Sequence, residues 1–270
     1  MIDEDKKKQD RKKRGQISSE ELEAYVEFEA EYLIEMLNSD SPQERTIAAT
    51  ILGNRKDKKG ILPLCDSLKK EKALYSRIAM SEALGKMGET AVPPLIKLLG
   101  KIGNNQEKEL PEKYFKKKSF PLARDMAVRT IIKIGKSATP YLIEVVEKQD
   151  DYTLQQAVDA LGGISAKTGD KSALPVLING LEKHSDNEIT LWKIIRSLSG
   201  FKHSSEALPP LLNILENDYD AAIIWESART IGQIGIYRPD VIDALSKLEE
   251  SNNPEVKKAA KNALINLKNH

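Results

Sequence analysis

The chain is 270 residues long, with 42 Lys and Arg against 41 Asp and Glu, a formal net charge of +1, 40% hydrophobic residues and only 5% aromatics. That length can bury one or two cores, and the balance excludes an acidic disordered chain and a nucleic-acid binder of the strongly basic kind. A single cysteine, Cys65, excludes an internal disulfide, and with only three histidines, His184, His203 and His270, the usual zinc sites lack ligands.

Residues 1–17, opening MIDEDKKKQDRKKR, read as a basic flexible arm without the apolar stretch a signal peptide carries. Such a run can touch RNA, DNA or anionic lipid, or serve only to solubilise. No apolar run approaches the ~18 residues of a membrane span. A cytoplasmic monomer without cofactor is expected.

From residue 18 a repeat takes over. Ser18-Ser19-Glu20-Glu21 has the form of a capping box, opening a helix with Glu20, Glu23, Glu27 and Glu31 around an apolar stripe, as suits an end unit. Then two landmarks alternate. The first is a small or apolar residue, x-Pro-x and an apolar residue, at Ile61–Cys65, Ala91–Leu95, Ala138–Leu142, Ala173–Leu177 and Ala207–Leu211, with Val241–Leu245 as a version without proline. The second is Leu52-Gly53, Leu84-Gly85, Ile131-Ile132, Leu161-Gly162, Ser199-Gly200, Ile231-Gly232 and Leu264-Ile265. The prolines step by 30, 47, 35 and 34 residues and the second series by 32, 47, 30, 38, 32 and 33, so both stretch in the same unit. One insertion, about residues 104–120, accounts for both.

Each unit reads as two helices. Proline in the first turn starts helix A, where its missing N–H would have had no partner, and apolar residues succeed it at helical spacing, as in Leu174, Leu177, Ile178 and Leu181. Polar turns such as Ser185-Asp186-Asn187 and Asn252-Asn253-Pro254 separate it from helix B. Helix B carries small residues, Ala79 and Ala83 or Ala157 and Ala160, before the motif glycine; Gly88, Gly135 and Gly235 come next, where left-handed caps are expected. Seven units result: 19–56, 57–89, 90–136, 137–165, 166–202, 203–236 and 237–267. One pair cannot bury its stripe alone, so the fold predicted over 18–270 is an all-α solenoid, a superhelix of stacked antiparallel pairs.

The stretch Ser76–Gly88 followed by Ala91–Leu95 resembles the short HEAT-like repeat of the phycobilin-lyase (PBS lyase) type, roughly VRxxAAxALGxIG and then AxPxLIxLL. Arg45, Arg77 and Arg124 match the motif arginine, whereas Leu154, Trp192 and Ile224 replace it and Ile132 and Ile265 replace the glycine. The resemblance implies an armadillo-type solenoid that mostly binds other proteins. It also implies enzymatic alternatives, a bilin lyase or a HEAT-like DNA glycosylase, whose aromatic, acidic and basic groups would fall here on Trp192, Trp225, Asp159 and Arg229. The related deoxyhypusine hydroxylases bind two irons through His-Glu pairs, and no His-Glu dipeptide occurs here.

In such solenoids the B helices line the concave face, which implies rows along it that include Gln155/Asp159, Lys193/Ser197 and Trp225/Arg229. Trp192 and Trp225 stand out there, with Lys193, Arg196 and Arg229 beside them, the composition of a binding hot spot. The alternative is that Trp192 fills the space of the missing motif arginine. The predicted partner site is therefore Trp192, Lys193, Arg196, Trp225, Arg229 and Asp159, facing a protein partner. Residues 1–135 carry +5 and residues 136–270 carry −4, counting 27 basic against 22 acidic and 15 against 19. Within the insertion, Lys113, Tyr114, Phe115, Lys116, Lys117 and Lys118 form a second, charged contact candidate, and with the arm they are what a nucleic-acid alternative would use. Asp125 and Arg129 read as a local i,i+4 pair. No catalytic constellation is visible, and Cys65 on an apolar position reads as a buried thiol.

Overall fold

The computed structural model describes residues 2–101, 107–114, 125–148 and 152–269. Among them all regular structure is helical, in the order α1 (Ile2–Lys13), α2 (Ser19–Glu23), α3 (Ala30–Met36), α4 (Pro42–Arg55), α5 (Ile61–Lys70), α6 (Leu74–Met87), α7 (Val92–Ile96), α8 (Met126–Ile134), α9 (Thr139–Lys148), α10 (Tyr152–Thr168), α11 (Leu174–Lys183), α12 (Glu188–Leu198), α13 (Leu208–Glu216), α14 (Ala221–Ile234), α15 (Pro239–Leu248) and α16 (Pro254–Lys268). From α3 onward the helices pair in phase with both sequence landmarks, whereas the helix expected to carry Glu20 through Glu31 is divided, α2 ending at Glu23 and α3 beginning at Ala30. The even-numbered helices from α4 are the B helices.

Start signals explain the phase. Prolines occupy the first turn of α7, α11, α13 and α15, where φ is already helical and no N–H is missed. Most B helices are capped by side chains instead: Ser41 accepts from Glu44 N, Asp125 from Ala127 N and Val128 N, Asn187 from Thr190 N, Asp220 from Ala222 N, and Asn253 from Glu255 N. Asp125 serves as an N-cap, and its second oxygen accepts from Gly100 N at 3.1 Å. Ser18 and Glu21 form the expected capping box.

The chain folds into two compact units, Met1–Asn104 with Asp125–Ala138, and Asn105–Arg124 with Thr139–His270. In the first, α4, α6 and α8 lie side by side, with Leu52, Leu64, Leu84 and Leu95 fully buried between the layers. The motif glycine permits the approach of the B helices: a Cβ on Gly53 would stand 2.5 Å from Ala83 Cα. Of the motif arginines, Arg45 and Arg77 serve the repeat, and Arg124 lies outside the described residues. Arg45 forks onto Glu71 with Nε–Oε2 2.7 Å and Nη2–Oε1 3.0 Å, while Glu71 Oε1 accepts from Ala73 N, and Arg77 closes the preceding carbonyl. The basic run expected as an arm is helical over Ile2–Lys13 and tied down behind it. Tyr75 N donates to Arg14 O at 2.9 Å, and Gly15, with φ +88°, packs where a Cβ would meet Ser76 Oγ at 2.5 Å.

In the second unit α10, α12, α14 and α16 form the B layer and α9, α11, α13 and α15 the A layer. Gly232 repeats the close approach, its Cβ position 2.7 Å from Ala263 Cα. The expected left-handed cap is present at Gly235 (φ 75°, ψ 34°), whereas Gly88 (71°, −144°) and Gly135 (85°, −146°) have positive φ with ψ outside the left-handed helical region, a backbone that glycine tolerates.

Candidate partner-binding face in the second unit

Residues three apart on a helix share a face, so Lys193 and Arg196 on α12 point to the same side, toward Asp159 on α10. Asp159 Oδ2 accepts from Lys193 Nζ at 3.0 Å and Oδ1 from Arg196 Nη2 at 2.5 Å. On α14 the same spacing joins Glu226 Oε1 to Arg229 Nη1 at 2.6 Å. The Arg196 guanidinium lies 4.3 Å over the Trp192 ring, and Trp192 meets Trp225 edge to face with centroids 6.4 Å apart. All six residues predicted from the sequence stand together in this one cluster.

The cluster is not open. Lys193 has 0% exposure, Trp192 and Trp225 1% each, and Asp159 5%. Residues 107–114 of the chain's own insertion lie on it. Glu107 brings Oε2 to 3.3 Å from Lys193 Nζ and Oε1 to 3.3 Å from Arg196 Nη1. Tyr114 stacks edge to face on Trp225 at 5.6 Å, and its N–H donates to Glu255 Oε2 on α16 at 3.2 Å. Between these anchors Glu107, Leu110, Pro111 and Tyr114 are half-buried, whereas Lys108, Glu109, Glu112 and Lys113 are exposed. Seven residue steps span at most ~25 Å of chain, and two helix spacings of ~8–10 Å separate α12 from α16. The segment runs from α12 past Trp225 on α14 to the start of α16, bending at Glu109, Glu112 and Lys113.

Two of the sequence-predicted groups thus become one site, Tyr114 of the insertion against Trp225 of the hot spot. Lys113 is exposed to solvent, and Phe115, Lys116, Lys117 and Lys118 lie outside the described residues. Glu107, Glu226 and Glu255 were not legible in advance. Glu226 sits beside Trp225 and three residues before Arg229, a local signal; nothing in the spacing places Glu107 on α12.

Electrostatics follow from burial with balance. Burial works to raise Asp159, but Arg196 and Lys193 outweigh it and hold the carboxyl below its ordinary range. For Glu107 burial is likewise overcome by Arg196 and Lys193, so it too is lowered. Glu226 goes the other way: burial dominates over Arg229 and Arg196, and its pKa is raised. Burial raises the Tyr114 phenol. Several buried polar atoms of this face have no hydrogen-bond partner among the described residues, namely Trp192 Nε1, Gln155 Oε1, Glu226 Oε2 and Ser227 Oγ. Each such atom costs about 1–3 kcal/mol.

Elsewhere, Cys65 is buried, and desolvation pushes its thiol up to about 12. Among the described residues no group of three or more His, Cys, Asp or Glu could hold a metal ion, and no helix is long and apolar enough to cross a membrane.

A family model described as HEAT repeats matches residues 30–105 and 174–265. No curated protein sequence matches the chain. Among solved structures, a designed armadillo repeat protein in complex with the peptide (KR)4 shares 18% identity over 88% of this chain and 99% of that one, with a TM-score of 0.45. A second designed armadillo repeat protein shares 20% over 88% and 100%, at a TM-score of 0.44. Human deoxyhypusine hydroxylase in complex with glycerol shares 18% over 89% and 85%, at 0.40. With helix pairs in phase with the repeat and more than half of its residues covered by the family model, the chain belongs to the HEAT-repeat family.

Proposed function

We propose that this chain is a non-catalytic interaction scaffold that holds an extended segment of a partner protein across the B helices of its second unit. The observation that carries the proposal is the path of Glu107–Tyr114, which crosses three B helices on two side-chain anchors and one backbone hydrogen bond. A HEAT-repeat fold commonly offers such a face to other proteins. The titratable groups of the cluster are committed to ion pairs with one another, which suits recognition better than proton transfer. Within the family, the Ser76–Gly88 pattern favours the PBS-lyase type of repeat.

The test is site-directed photo-crosslinking in native extract. A crosslinking residue at Lys258, which is exposed on α16 and lies 3.5 Å from Glu255, should capture a discrete partner. The same residue at Glu216, at the end of α13 in the opposite layer, should not. Equal capture at both positions, or capture at Glu216 alone, would refute the proposal.

A further inference from the structure

The insertion is more than a loop passing over a surface. Among residues 107–114 the half-buried ones are Glu107, Leu110, Pro111 and Tyr114, a carboxylate, an apolar pair and an aromatic ring. Each end meets a complementary element, the Lys193/Arg196 pair for the carboxylate and the Trp225 ring for the tyrosine.

Charge arithmetic says what the face requires. Among the described residues Lys193 and Arg196 pair with Asp159 and Glu107, so without Glu107 two buried cations face one carboxylate. An unbalanced buried cation is expensive, so the face selects an occupant that supplies one carboxylate at this point. Fit supplies an independent observation. Trp192 Nε1 and Gln155 Oε1, on the helices that carry this face, are more than nine-tenths buried and have no hydrogen-bond partner among the described residues.

We infer that Glu107–Tyr114 is a resident ligand of a peptide groove, and that the partner supplies an extended segment of the same chemistry, a carboxylate followed seven positions later by an aromatic ring, with an apolar pair between. The inference rests on the scaffold function proposed above and adds the partner's recognition element and its competition with the chain itself. A partner whose intervening residue accepts from Trp192 Nε1 or donates to Gln155 Oε1 makes a bond the resident lacks. That difference lets it compete with a segment whose local concentration is fixed by its tether.

The experiment uses a labelled peptide of the sequence EKELPEKY, titrated by fluorescence anisotropy into the full chain and into a Glu107→Gln, Tyr114→Ala double variant. The variant keeps chain length and loses both anchors. It should bind the peptide at least tenfold more tightly than wild type, and a control peptide with Lys for its first Glu and Ala for its Tyr should not bind. A double variant that is folded by circular dichroism but binds no better than wild type overturns the inference. If the double variant does not fold, Glu107→Gln alone is read, with a gain of at least threefold expected and no gain overturning it. The outcomes separate from those of the crosslinking. Capture at Lys258 without any peptide gain sinks the resident-ligand inference and leaves the scaffold standing, while a peptide gain without capture at Lys258 does the reverse.

Discussion

Replacing Asp159 by asparagine keeps the side chain's shape and removes one negative charge from between Lys193 and Arg196, which approach it to 3.0 and 2.5 Å. The two cations then share Glu107 alone, at 3.3 Å from each. Removing one partner from a buried ion pair typically costs about 3–5 kcal/mol, because the remaining charge stays desolvated. Glu107 is partly exposed and still attracts both cations, which places the expectation for Asp159→Asn near the lower end, about 3 kcal/mol. For a unit of this size that corresponds to a fall in Tm of roughly 6–12 °C. Urea unfolding followed by tryptophan fluorescence is the suitable assay, since the chain's two tryptophans, Trp192 and Trp225, both stand in the cluster. A second substitution sharpens it. Glu107→Gln added to Asp159→Asn leaves both cations without a carboxylate, so the double change should cost more than the sum of the singles, by about 1 kcal/mol or more. Glu144→Gln, in the exposed pair with Lys148, should stay within about 0.5 kcal/mol. A loss below about 1 kcal/mol for Asp159→Asn, with an unchanged urea slope, would mean that the cations are solvated and that the argument from buried charge is wrong.

The motif glycines separate by their surroundings. Gly232→Ala drives a methyl into Ala263 Cα at 2.7 Å and should destabilise by about 1–3 kcal/mol, whereas at Gly85 the nearest atom is Lys133 Cβ at 3.6 Å, and Gly85→Ala should be neutral or stabilising by up to ~1 kcal/mol in thermal melts. Equal effects at the two positions would refute the close-approach account. Cys65, with its thiol pushed up to about 12, should react with an aromatic disulfide reagent at pH 8 at least about a hundredfold slower in the native protein than in denaturant, and rapid native labelling would contradict its burial. The Glu107 carboxyl lies below its unfolded value of ~4.3, so its stabilisation is complete above that pH and fades as pH falls through the lower folded value. Tryptophan fluorescence in an acid titration should show this step below pH ~4.3 in wild type and lose it in Glu107→Gln; coincident curves would remove Glu107 from the anchor.

Much of the helical framework was legible in local spacing. Pro175 and Pro209 in first turns, Asn187 and Asn253 as caps, and the Leu-Gly landmarks each act within a few residues or between neighbouring repeats. Their physical constraints, a missing N–H, an orphan donor and two helices too close for a Cβ, are therefore written into composition at fixed intervals. Trp192 and Trp225 were conspicuous for a related reason, since they interrupt a row that the repeat leads one to read as polar. The replacement of the motif arginine at Trp192 gives the ring space to lie under Arg196 instead of capping a neighbouring turn as Arg77 does.

The sequence by itself determined most of the helices, their pairing and period, and the grouping of Asp159, Trp192, Lys193, Arg196, Trp225 and Arg229 on α10, α12 and α14, though not Glu226 among them. Only the tertiary structure decided that residues 107–114 of the chain's own insertion lie on the face they form. Glu107 and Arg196 are 89 residues apart, and Tyr114 and Glu255 are 141 apart. No periodicity links such positions, because the contact belongs to one segment lying across the repeat. What selects it is the requirement that buried cations find a carboxylate, a condition set by burial that exists only once the helices have packed.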